Sequence, residues 1–101
     1  MNEHLRAVIR SIYEEFPVEA IYLFGSVARR EQSSESDVDV LVVFRDAPSD
    51  PFEAAYQVRK SLHEKLDLAL DVVVTSTEAF ARRHTQPWTI EHVAWTEGIA
   101  V

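Results

Sequence analysis

The chain has 101 residues, of which 47% are hydrophobic and 27% charged, the composition of a folded globular domain and not of a disordered or fibrous chain. It carries 17 acidic and 10 basic residues, a formal charge of −7. That acidity excludes the basic footprint that standing contact with duplex nucleic acid requires. Cysteine is absent, which removes disulfides, thiolate metal sites and a cysteine nucleophile.

No stretch approaches the roughly 20 apolar residues of a membrane span. The opening MNEHLRAVIRS lacks the apolar core and small-residue cleavage site of a signal peptide. The sequence therefore predicts one cytoplasmic domain over residues 1–101, with no membrane partner. A chain this short buries a modest share of its surface, so a homo-oligomer or another subunit contact suits its size.

Leu5, Val8, Ile9, Ile12 and Phe16 recur at helical spacing and predict a helix over about residues 3–15, ended by Pro17. Residues 20–24 (AIYLF), closed by Gly25, read as a short buried strand. Residues 27–30 suggest a helical turn, and residues 32–36 (QSSES) an exposed loop. Residues 37–44 (DVDVLVVF) form a second predicted strand. Asp50, Pro51 and Glu53 then mark a helix start with a capping box. Phe52, Ala55, Tyr56, Arg59, Leu62 and Leu66 share one face of that helix, which runs to about Lys65. Residues 69–75 (ALDVVVT) give a third strand and residues 78–83 a short helix capped by Thr75 or Ser76. Pro87 opens a last helix that Gly98 ends, and residues 99–101 can add an edge strand. The fold class is α/β (α+β): a small mixed sheet covered by helices.

One feature breaks the apolar pattern. Asp37 and Asp39 stand two apart at the head of a strand and so point to the same face, their Cα atoms roughly 6.5–7 Å apart. Asp71 heads the next apolar run. If the two strands are neighbours, three carboxylates converge and raise each other's pKa, which calls for a cation. Hard oxygen ligands suit Mg²⁺, with Mn²⁺ a substitute, and Mg²⁺ takes its remaining ligands from water and substrate phosphate. An isolated Asp at a strand start is as readily a turn former, and that reading stands open for Asp37 and Asp71 singly. Gly25 and Ser26 close the first strand where a glycine permits close backbone approach to a phosphate. The dipeptide alone would also serve as a plain strand-to-helix turn. His4, His63, His84 and His92 are scattered and are assigned surface or satisfied core positions.

Gly25-Ser26, ten residues, then Asp37-Val38-Asp39 resembles the signature of the polymerase-β-like nucleotidyltransferase superfamily. The stretch LFGSVARREQSSESDVDVLVVF is similar to its minimal nucleotidyltransferases, and the likeness extends to Asp71 and Glu97-Gly98-Ile99. The resemblance implies that Asp37, Asp39 and Asp71 hold two divalent metals, Mg²⁺ or Mn²⁺, and are the catalytic residues. It implies nucleotide binding by Gly25 and Ser26. Arg29 has two open roles, phosphate contact or a solvated helix charge. Val27 and Arg30 depart from the arginine and glycine common in the family. The implied activity is transfer of AMP from ATP to a hydroxyl, with a tyrosine of a helical HEPN toxin as acceptor and the chain as its antitoxin. The alternatives are a non-catalytic antitoxin that acts by contact, and nucleotidylation of a small molecule. Trp88, Ile90, Val93 and Trp95 would form such an interface or, as aromatics at helical spacing mostly do, pack inward.

Overall fold

In the computed structural model, which describes residues 3–25 and 38–101, the three apolar runs become β1 (Val18–Phe24), β2 (Val38–Phe44) and β3 (Leu70–Ser76). The C-terminal β4 (Ile99–Ala100) completes a sheet of order β3-β2-β1-β4. β1 is antiparallel to β2 and to β4, whereas β2 and β3 run parallel. The sheet is thus mixed, as the sequence predicts. The turn at residues 27–30 and the loop at 32–36 lie outside the described residues, as do Ser26, Arg29 and Asp37.

Helices cover both faces. The predicted first helix is interrupted: α1 (Glu3–Arg10) and α2 (Ile12–Glu15) meet at Ser11. Ser11 keeps helical angles (φ −62°, ψ −19°), but its hydroxyl donates back to the Val8 carbonyl, a bond that competes with the regular ladder. α3 (Pro51–His63) starts at the predicted cap, where the Asp50 carboxylate accepts from the N–H groups of Phe52 and Glu53, both at 3.1 Å. Glu53 does not complete a box; its Oε1 accepts from Gln57 Nε2 at 2.8 Å.

The buried face of α3 is not the expected one. Val58, Leu62 and the following Leu66 are buried, with Ala54 packed beside them, whereas Phe52 is 87% exposed and Tyr56 and Arg59 lie outside. The helix carries two apolar stripes that share Leu62 and Leu66. The crossover from β2 to β3 turns the aliphatic stripe onto Val38, Val40, Val42, Val72 and Val74, where small side chains fit a close helix–sheet contact.

α4 (Thr77–Arg83) is capped by Ser76, whose Oγ accepts from Ala79 N–H at 3.2 Å. α5 (Ile90–Glu97) begins three residues later than Pro87 suggests, because Thr89 caps it by accepting from His92 N–H at 3.1 Å. Gly98 ends α5 at φ −86°, so its smallness serves packing and not a left-handed turn. A Cβ there would collide with the Ala94 carbonyl and stand 2.8 Å from that of Leu23. These two helices cover the opposite face, built on Phe24, Leu41, Val73 and Ala94.

Candidate active site

β1 ends at Phe24, and Gly25 follows at φ +79°, the left-handed region that favours glycine. A second constraint acts on the same residue. A Cβ at Gly25 would collide with the Asp39 carboxylate, its Cγ lying only 3.3 Å away. The glycine backbone therefore forms one wall of the pocket that holds Asp39. The first and second parts of the sequence signature are in contact.

Asp39 is half-buried on β2 and is paired in register with Phe24 on one side and Asp71 on the other. Directly paired residues on neighbouring strands point to the same face, so Phe24, Asp39 and Asp71 form one row across the sheet. Phe24 closes the row under Ala94 of α5. Asp71, on β3, is exposed. Asp39 and Asp71, separate in the sequence, thus stand as like charges about one strand spacing apart, some 4.8 Å. Like charges so placed repel, and a bound cation would relieve that repulsion.

Two hard oxygen donors on neighbouring strands, one exposed, fit Mg²⁺ or Mn²⁺ and suit neither a soft nor an imidazole-seeking metal. Among the described residues no three His, Cys, Asp or Glu side chains are grouped to hold a metal ion. Asp37, the third expected ligand, lies outside the described residues, as do Ser26 and Arg29. The structure brings together Gly25, Asp39 and Asp71.

The next row on this face, Tyr22, Leu41 and Val73, carries aromatic packing. Tyr22 stacks on Phe80 at 5.3 Å, Phe80 on His84 at 5.5 Å, and Trp95 stands edge-on to all three. Burial, and secondarily Tyr13, pushes the Tyr22 phenol above a tyrosine's usual 10.0. Ile90 and Val93 pack inward as expected. Trp88 and Trp95 do not: they are 80% and 54% exposed, since Trp88 precedes the α5 cap and Trp95 lies on the outer side of the aromatic row. His84 and His92 are satisfied structurally, His92 Nδ1 lying 2.8 Å from the His84 carbonyl. Behind them Glu91, 5% exposed, accepts from Thr75 Oγ1 at 2.9 Å and from Arg83 Nε at 3.2 Å, tying α4 and α5 to β3.

The sequence reading gave Gly25 a phosphate-facing role and missed that it also walls in Asp39. It grouped Phe52 on one helix face with Leu62 and Leu66, whereas Leu62 and Leu66 are buried and Phe52 lines an open groove beside Val72, Val73 and Val74.

Residues 7–86 match the profile of the family described as Polymerase beta, Nucleotidyltransferase. The protein adenylyltransferase MntA of Thermococcus cleftensis is 36% identical over 73 residues, 72% of each chain. A Methanocaldococcus jannaschii protein assigned as a protein adenylyltransferase is 33% identical over 74 residues, 73% of this chain and 74% of that one. In fold, the chain is similar to a solved toxin–antitoxin structure with AMP-PNP. The TM-score is 0.64 at 23% identity, over 95% of this chain and 70% of that one.

Proposed function

The chain belongs to the polymerase β nucleotidyltransferase family, and we propose that it transfers AMP from ATP to a hydroxyl of a partner protein and acts thereby as an antitoxin. The observation that carries this reading is the register pair Asp39–Asp71 beside Gly25. A purely contact-based inhibitor gains nothing from two acids facing each other on adjacent strands. The protein adenylyltransferase MntA among its relatives, and the toxin–antitoxin fold neighbour solved with AMP-PNP, support ATP as donor and a protein as acceptor.

Asp37, Asp39 and Asp71 would hold Mg²⁺, two ions in the full site, with Mn²⁺ as a substitute. Bound there, the metal would neutralise the triphosphate and polarise the α-phosphoryl group. The absence of a side chain at Gly25 leaves the space that the Asp39 carboxylate occupies. Gly25 presents backbone without a side chain, and Ser26 is the candidate to add a hydroxyl donor for phosphate. Arg29 is a candidate for a further phosphate contact. Asp71, exposed at the sheet margin, accepts the proton of the attacking hydroxyl. The hydroxyl oxygen bonds to the α-phosphorus, the bond to the β-phosphate oxygen breaks, and pyrophosphate leaves. Alignment and charge neutralisation supply most of the acceleration.

The acceptor we propose is a tyrosine of a helical HEPN-type toxin. The test is incubation of the chain with labelled ATP, Mg²⁺ and the product of the neighbouring reading frame. Label on a partner tyrosine, lost with Asp39→Asn, is expected. No label, together with full inhibition of the partner by Asp39→Asn, would replace this reading with inhibition by contact.

A further inference from the structure

Among the described residues, β3 pairs with β2 alone and forms the edge of the sheet. The phase of its backbone follows from one bond: Val38 N–H donates to the Ala69 carbonyl at 2.9 Å. In a parallel pair this turns the backbone groups of Ala69, Asp71, Val73 and Thr75 toward β2. Those of Leu70, Val72, Val74 and Ser76 then face outward.

That outward edge runs along an apolar groove. A cavity of about 320 Å³ lies between Val72–Val74 and the first turns of α3, walled by Pro51, Phe52 and Ala55. A second, of about 220 Å³, continues past Thr75 and Ser76 to Ala79. Natural edges are usually blunted by proline, lysine or a bulge. Residues 72–76 (VVVTS) contain none of the first two, and β3 pairs with β2 without a register shift. At its N-terminal end the same strand carries Asp71.

We infer that this edge is the docking strip for the acceptor: an extended segment of the acceptor protein adds beside β3 and carries its hydroxyl residue to Asp71. The inference rests on the nucleotidyl-transfer reading above and deepens it by naming where the acceptor lies. The alternation of strands gives it a recognisable pattern. Side chains of the added strand opposite Val72 and Val74 enter the groove beside Phe52. Those opposite Asp71 and Val73 point to the acid face. A hydroxyl residue opposite Asp71 therefore has apolar residues one and three positions away, on one side of it. Its oxygen bonds to the α-phosphorus, pyrophosphate departs, and its proton passes to Asp71.

A second copy of this chain fits the edge less well. α3 packs against β3, so pairing two β3 strands would bring two α3 helices toward one strand spacing, about 4.8 Å. Packed helices need roughly 8–10 Å. A bare extended segment carries no such helix.

The test uses two synthetic peptides of equal composition. One has valines one and three positions from a tyrosine on both sides of it, the other two and four positions from it on both sides, so that either direction of the added strand is served. Each is incubated with labelled ATP, Mg²⁺ and the full chain, the Val74→Pro variant or the Phe52→Glu variant. Val74→Pro removes an outward N–H and leaves the β2 ladder intact; Phe52→Glu changes an exposed side chain and carries the test should Val74→Pro fail to fold. The expected result is at least a tenfold preference for the first peptide. Both variants should lose at least tenfold in kcat/KM for it while ATP affinity by calorimetry stays within twofold. Equal labelling of both peptides, or wild-type labelling by both variants, overturns the docking strip. If the full chain labels neither peptide, amide exchange at Val72 and Val74 decides. Protection by the first peptide upholds docking and places the failure on the transfer reading, and no protection overturns docking. Protection that instead rises with protein concentration alone means that a second copy occupies the edge and overturns the proposal.

Discussion

Replacing Asp71 by Asn separates what the paired carboxylates cost from what they do. Asp39 and Asp71 are direct cross-strand partners, and two unit charges about 5 Å apart repel by roughly 0.8 kcal/mol in a water-like dielectric and about 3 kcal/mol at an effective value of 20. Asp71 is exposed, so the lower figure governs. The metal-free Asp71→Asn protein is expected to be about 1 kcal/mol more stable, a rise of roughly 4–8 °C in Tm for a domain of this size. The removed side chain costs little in return, since exposed substitutions usually stay within about 0.5 kcal/mol. Function should move the other way. Mg²⁺ with ATP should raise the wild-type melting temperature and leave that of Asp71→Asn nearly unchanged, and AMP transfer should fall by about 100-fold or more, the usual loss for a removed proton acceptor. Thermal melts in EDTA and in Mg²⁺–ATP, followed by labelled transfer, give the three readouts. An unchanged metal-free melt with an undiminished response to Mg²⁺–ATP would refute the reasoning, because Asp71 would then neither repel Asp39 nor share its ligand.

Gly25→Ala should cost about 1–2 kcal/mol from the left-handed backbone alone, and by displacing the Asp39 carboxylate it should also weaken Mg²⁺–ATP binding; urea titration and calorimetry read the two effects, and a variant normal in both would show that Asp39 does not depend on this wall. Asp50→Ala leaves two amides at the start of α3 without their acceptor and should lower stability by about 0.5–2 kcal/mol, with transfer at saturating acceptor unchanged. Alkaline pH tests Tyr22. Its phenol is raised by burial first and by Tyr13 second, so folding favours the neutral form. That contribution is complete below the unfolded phenol's value near 10 and is lost as pH rises through the higher folded value. Stability should therefore fall above about pH 10, and Tyr22→Phe should make the fall shallower in melts taken between roughly pH 9 and 11. Equal slopes for the two proteins would show that Tyr22 does not couple to folding.

Much of this arrangement is legible in the chain because the relevant signals are local. The short β-branched runs around Ile21, Leu41 and Val73 read as strands, and Asp39 and Asp71 stand out because they interrupt such runs. Asp50 and Pro51 announce α3, whose start the structure reproduces. The failures all concern choices between two satisfactory local solutions. α3 carries two apolar stripes, and only the β2–β3 crossover decides that Val58 faces in and Phe52 out. Pro87 is an acceptable helix start, but Thr89 offers a hydroxyl to His92 N–H and takes the cap. Trp95 stands five residues after Ile90, well round the helix from it, and it meets the row of Tyr22, Phe80 and His84 edge-on from the outer side. Register is likewise invisible to periodicity: nothing in the sequence states that Asp39 faces Asp71 and not Val72.

That register is a consequence of how the strands are joined. A tight turn between β2 and β3 would have made them antiparallel and sent Asp71 to the far end of the sheet from Asp39. The 13-residue helix α3 between them makes the connection a crossover, so the strands are parallel and their N-terminal ends lie together. β1 runs the other way, which brings its C-terminal end, and hence Gly25, to the same margin. Open parallel sheets commonly place ligands at the carboxyl ends of their strands. Here two amino ends and one carboxyl end meet, and it is the acids at the amino ends that give this margin its chemistry. Shortening the β2–β3 connection until the helix is lost should therefore abolish Mg²⁺–ATP binding, whatever its effect on stability, because no antiparallel register can put both carboxylates beside Gly25. Retained binding in such a variant, measured by calorimetry, would mean that Asp71 is dispensable and that the site is built from the Asp39 side alone.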